Sequence, residues 1–156
     1  MNSLTNNQTS EVRRIITTMT PPCYCCVVLP AVQSIPDAAD TTVDFTSGAT
    51  VEADTDSFFS TSDPDQITIP KAGFYVVTAN VSFATDADGI RTVWVVNEST
   101  TVARIRTTSL DAEMHLSCAG GFLAAASDAL VLKVRQSGGA ALNLNSARLA
   151  VVRVGP

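Results

Sequence analysis

Four cysteines, a single histidine and three closely spaced aspartate pairs are the residues of this sequence best suited to chemistry. Cys23, Cys25 and Cys26 crowd into Cys23-Tyr24-Cys25-Cys26, and the fourth thiol, Cys118, lies three residues after His115. Tetrahedral zinc takes Cys and His ligands in closely spaced pairs. Cys23, Cys26, His115 and Cys118 make such a set on paper, although a second cysteine pair is missing. The plainer reading is that each thiol packs as a small buried hydrophobe. Whether the four are free, bridged or metal-bound stays open on sequence. His115 is the one candidate general base, but it sits in the alternating stretch Met114-His115-Leu116 with no orienting carboxylate motif beside it. No Gly-x-Ser-x-Gly, phosphate loop or His-Glu-x-x-His occurs. Asp54 and Asp56, Asp63 and Asp65, and Asp86 and Asp88 have the spacing of calcium-loop ligands without the remaining ligands. Aspartate is also a frequent turn former, which accounts for the pairs better. The expectation is a protein that is not an enzyme and has no cofactor and no metal.

The elements that position these residues are short strands. Phe74-Val76-Thr78-Asn80-Ser82 alternates with Tyr75-Val77-Ala79-Val81-Phe83, and Leu130-Leu132-Val134 alternates with Val131-Lys133-Arg135. Strands are expected at 25–35, 41–45, 49–54, 66–70, 73–85, 90–97, 100–108, 114–118, 121–126, 129–136 and 141–154. Turn signals separate them, among them Asp63-Pro64-Asp65, Asp86-Ala87-Asp88-Gly89, Gly120-Gly121 and Ser137-Gly138-Gly139. No helical stretch lies between them, so a parallel βαβ sheet is excluded and an antiparallel sandwich or barrel is expected. The first 24 residues read differently. Val12, Ile15, Ile16 and Met19 fall at helical spacing, and Pro21-Pro22 ends the run. A helix this short needs something to dock on: its own domain, or a neighbouring subunit. The chain thus divides into an N-terminal arm at 1–24 and one domain at 25–156.

With 156 residues the chain can bury a core without a disulfide or metal staple. Fifteen acidic against ten basic residues give a net charge of −5, which repels phosphate backbones, so no nucleic-acid partner is expected. Apolar runs fall well short of the ~18–20 residues of a membrane span. The first residues lack the basic-then-apolar order of a secretory signal, so synthesis in a host cytoplasm is expected.

The order of pieces carries a resemblance. Gln33-Ser34-Ile35-Pro36 precedes Thr42-Val43-Asp44-Phe45. Then come Asp56-Ser57-Phe58-Phe59 and the stretch Ile67-Thr68-Ile69-Pro70-Lys71-Ala72-Gly73-Phe74-Tyr75. The chain closes on Ala147-Arg148-Leu149-Ala150-Val151-Val152-Arg153-Val154-Gly155. Over residues 25–156 this resembles the jelly roll of complement globular heads and tumour-necrosis-factor-like domains, in the version found in bacteriophage virion proteins. The resemblance implies an all-β antiparallel jelly-roll sandwich preceded by a short N-terminal arm and helix. It implies a tight homotrimer about a three-fold axis, with Phe74, Tyr75, Trp94 and Leu149 as seam candidates that could equally be plain core. It also implies a virion location. A capsid decoration or cement protein on the capsid exterior, bound to the major capsid protein through Val12, Ile15, Ile16 and Met19, is the leading expectation. A receptor-binding head on a tail or fibre is the alternative.

Overall fold

The computed structural model describes residues 23–46 and 48–155. The expected arm, with Val12, Ile15, Ile16 and Met19, lies outside the described residues. Eleven strands follow one another: β1 (Tyr24–Leu29), β2 (Gln33–Ile35), β3 (Thr41–Thr42), β4 (Thr50–Asp54), β5 (Ile67–Thr68), β6 (Gly73–Phe83), β7 (Ile90–Asn97), β8 (Thr100–Thr108), β9 (Met114–Ala124), β10 (Ala129–Gln136) and β11 (Leu142–Gly155). The described residues contain no helix. Sheet A runs β4-β1-β11-β6-β9, and β2 joins the free stretch of β11 beside β1. Sheet B runs β3-β10-β7-β8, with β5 also on β10. Every strand pair is antiparallel, so the molecule is an all-β jelly-roll sandwich.

The alternation of β6 shows how the sequence builds this. Tyr75, Val77, Ala79, Val81 and Phe83 are at most 3% exposed and face sheet B. Tyr75 is the centre of an aromatic group. Its ring stacks on Phe122 at 6.0 Å and meets Phe58 edge-on at 6.3 Å. Its hydroxyl donates to the Lys71 carbonyl at 2.6 Å, which satisfies the one polar atom the ring carries inward. Ile67 and Ile69 belong to the same core, so the Ile67–Tyr75 stretch is a strand, a turn and a strand start that all bury side chains in it. Sheet B contributes Val93, Val95, Leu130, Leu132 and Val134, all 0% exposed.

The strands expected at 41–45 and 66–70 shorten to the two-residue β3 and β5, and two further differences from the sequence expectation have a plain physical reason. The stretch at 25–35 breaks into β1 and β2 on either side of Pro30, which lacks the N–H a continuous ladder requires. Gly120-Gly121 is not a turn, and β9 runs through it from Met114 to Ala124. The glycines are there for contact. A Cβ on Gly120 would lie 1.9 Å from the Val102 carbonyl oxygen of β8, and one on Gly121 would lie 2.8 Å from the Phe74 ring. Sheet A and sheet B therefore meet along β8 and β9 at backbone distance.

Candidate assembly site

Each strand of sheet A has a second face, turned away from the core, and cross-strand register places its residues in rows. Leu123 on β9 stands opposite Phe74 on β6. Gly121, Val76, Val152 and Tyr24 form the next row across β9, β6, β11 and β1. Ala119, Thr78, Ala150 and Cys26 form the third. The rows then turn polar: Ser117, Asn80 and Arg148, followed by His115, Ser82 and Ser146. One half of this face is thus small and apolar and the other half hydrogen-bonding. Leu123 is 75% exposed, Val154 57% and Phe74 39%, a concentration of exposed apolar groups at one end of one sheet. A shallow groove of about 440 Å³ crosses the apolar half, floored by Val76, Thr78, Ala150 and Val152 and walled by Tyr24 and Glu52.

The polar margin is held by Arg148. Its guanidinium pairs with Glu52 at 2.7 Å, and its Nε donates to Cys26 Sγ at 3.2 Å. Cys26 in turn donates to Glu52 at 3.3 Å. Both Arg148 and Glu52 are about half exposed, so the pair adds little stability on its own. Its effect is to fix the edge of the groove.

The residues singled out from sequence separate between the core and two surfaces. Phe74 stands on the outer face of sheet A. Tyr75 and Leu149 are 0% exposed and point into the core, so they have no surface to offer a partner in the folded chain. Trp94 lies half-buried on the outer face of sheet B, the opposite side of the sandwich. Leu123, Val76, Val152 and Val154 were not distinguished in the sequence. They are ordinary strand residues there, and only the strand order of sheet A brings them together.

Cys23, Cys26, His115 and Cys118 do not converge. Among the described residues no group of three His, Cys, Asp or Glu side chains could hold a metal ion. All four cysteines are free thiols and buried. Burial pushes each thiol up. Cys25, with Asp54 adding to the effect, is pushed up to about 12. Cys23 rises through burial and then Asp56, and Cys118 through burial alone. These are poor nucleophiles at neutral pH. His115 is exposed on sheet A opposite Ser82, whose hydroxyl donates to Glu113. The aspartate pairs build turns and anchors. Asp54 accepts from the Phe58 and Phe59 amides, Asp56 pairs with Lys71 at 2.8 Å, and Asp86 pairs with Arg91 at 2.8 Å.

No family model matches the sequence, and no curated protein matches it. Solved structures do match its fold. The vertex protein P5 of phage PRD1 aligns with a TM-score of 0.63 at 17% identity, over 85% of this chain and 96% of that one. Murine APRIL at pH 5.0 aligns with a TM-score of 0.60 at 19% identity, over 84% of this chain and 99% of that one. Eiger TNF from S. frugiperda aligns with a TM-score of 0.58 at 12% identity, over 87% and 94%. The described chain therefore has the tumour-necrosis-factor-like jelly roll, a fold shared by cytokines and by a phage vertex protein.

Proposed function

We propose that this protein is a bacteriophage structural protein that assembles as a homotrimer and decorates the capsid exterior, stabilising the head against the major capsid protein. It works by binding and assembly rather than by catalysis. The observation that carries this reading is the outer face of sheet A. Its apolar rows, from Leu123 and Phe74 to Ala150, run into β9, an edge strand whose outer positions at this end are Leu123, Gly121 and Ala119. Small residues on an edge allow close approach of a second backbone, and exposed apolar patches of this kind mark interaction surfaces. Laid into the groove of a neighbour, β9 makes a heterologous contact that closes after three copies.

In this reading residues 1–24 reach beyond the trimer, with Val12, Ile15, Ile16 and Met19 as the contacts on the capsid. Three arms on one trimer engage neighbouring capsid subunits at once, which raises avidity without enlarging any single contact. Electron microscopy of purified particles tests the location. Density for the trimer at capsid three-fold positions supports a decoration role. Density confined to a tail tip overturns it in favour of a receptor-binding head. Deleting residues 1–24 is expected to leave a trimer that no longer binds assembled capsids, whereas full capsid affinity after the deletion would remove the arm from the account.

A further inference from the structure

The outer face of sheet B is the chemical opposite of the chain as a whole. The protein carries a net charge of −5, yet four of its ten Lys and Arg residues meet on this face around its single tryptophan. Register fixes the arrangement. Lys133 on β10, Trp94 on β7 and Arg104 on β8 form one cross-strand row, and Arg135, Thr92 and Arg106 form the next. Residues two apart on one strand lie roughly 7 Å from each other, and adjacent strands lie about 4.8 Å apart. Two pairs of cations therefore flank an indole at separations of roughly 7 to 10 Å.

The cations are largely unspent. Arg135 pairs with Asp40 at 3.1 Å, an exposed bridge. Among the described residues Arg104, Arg106 and Lys133 have no ion-pair partner. By contrast Lys71, Arg91 and Arg148 are each paired with a carboxylate. Between the flanking pairs lies a depression of about 440 Å³, lined by Trp94, Ile90 and Thr92 with Thr101, Ser137, three arginines and one carboxylate, Asp40, at its sides; Asp40 is the partner of Arg135, which leaves Arg104 and Arg106 as its unpaired cations. That volume falls within the ~300–1,000 Å³ of small-ligand sites.

We propose that this depression binds an acidic saccharide, one whose rings carry carboxylate or sulfate groups. The indole offers an apolar plane with a polar tip to the face of a sugar ring. The threonine and serine hydroxyls meet ring hydroxyls. Arg104 and Arg106 on one side and Arg135 on the other take anions spaced along the chain by charge-assisted hydrogen bonds, and Lys133, in the cross-strand row of Trp94, adds positive charge beside the depression. An extended acidic peptide has only the edge strand β8 to pair with, because β7, which carries Trp94, is hydrogen-bonded on both sides. The site is on the opposite sheet from the proposed assembly face.

Because Trp94 is the only tryptophan, its fluorescence reports this site alone. The full-length protein is titrated with an oligogalacturonate and with a sulfated dextran oligosaccharide. A neutral maltooligosaccharide, a glutamate peptide and an oligothymidylate of matched length serve as comparisons. A saturable fluorescence change with either acidic saccharide, weaker at higher salt and absent with the comparisons, is expected. R104A/R106A is expected to weaken binding about tenfold or more, since two charge-assisted contacts are lost. K133A/R135A serves as a second variant, and both are checked for an unchanged melting temperature. No saturable change with either acidic saccharide overturns the proposal. So does equal binding of the glutamate peptide or the oligothymidylate, or unchanged affinity in both folded variants.

Discussion

The thiols give the most direct residue-scale test. Cys23, Cys25, Cys26 and Cys118 are all buried, and burial raises each of them. A thiol-specific reagent at pH 7.5 is therefore expected to modify the native protein slowly and to reach four groups per chain only after unfolding. Rapid native labelling of more than one group contradicts the packing described. The same shifts have a pH consequence. A thiol at about 12 in the folded state against 9.0 when exposed keeps its proton while the unfolded chain has lost it. Between those values the unfolded state binds fewer protons, so stability falls as pH rises, and below 9.0 the group contributes no slope. Cys25 alone removes about 1.4 kcal/mol per pH unit inside that window. The pH dependence of melting of the protein and of Cys25→Val, which has no such proton to lose, should run parallel below pH 9 and diverge above it. Parallel curves across the whole range would contradict the assignment. The cysteines as buried hydrophobes were legible in the sequence, because they sit among apolar residues with strand alternation. The seam candidates were only partly so. Period-two alternation shows that Trp94 shares a face with Thr92 and Val96, but not which sheet that strand joins.

At the scale of elements, two features hold the frame of both faces. Arg91 is 1% exposed and its charge is met by Asp86, in the loop before β7. Removing the carboxylate leaves a buried guanidinium uncompensated, so Asp86→Ala is expected to cost about 3 kcal/mol, read from denaturant unfolding. An effect below 0.5 kcal/mol, the range of ordinary surface changes, would show that the pair is not an anchor. Gly120 is the second. Any side chain there meets the Val102 carbonyl across the β8–β9 junction. Gly120→Val is expected to destabilise by about 2–3 kcal/mol through overpacking, while an exposed change away from the proposed contact, such as Leu110→Ala, stays within about 0.5 kcal/mol. The Asp86 loop was visible in the sequence as a turn with spare carboxylates. Its tie to Arg91 was visible only as two charges five residues apart. Gly120-Gly121 carries the signal of a turn but lies inside β9, because glycine punctuates loops and also permits close approach, and only the neighbouring strand tells the two apart. The basic face was hidden for a similar reason. Arg104 and Arg106 lie almost thirty residues from Lys133 and Arg135, and the order β10-β7-β8 makes them neighbours of Trp94.

At the scale of the molecule, the two sheets present different surfaces. Sheet A turns outward a face that is apolar at one end and hydrogen-bonding at the other, bounded by an edge strand of small residues. Sheet B turns outward a basic face with one indole. In the proposed function the first is the self-assembly face and the second stays open to solvent. It also sets the expected behaviour of Leu123→Glu. That side chain is 75% exposed, so the charge costs the isolated fold little, but it places a carboxylate in the apolar rows of the proposed contact. The variant is expected to fold and remain monomeric. The all-β sandwich itself followed from alternation and turn chemistry, and the order of its pieces carried the resemblance to the tumour-necrosis-factor-like jelly roll. What pattern alone could not supply was which outward faces carry which residues. The most direct test of the account is the mass of the purified protein in solution by native mass spectrometry at micromolar concentration. The account predicts an assembly of three 16.4 kDa chains. A protein that remains a single 16.4 kDa chain under those conditions would contradict it.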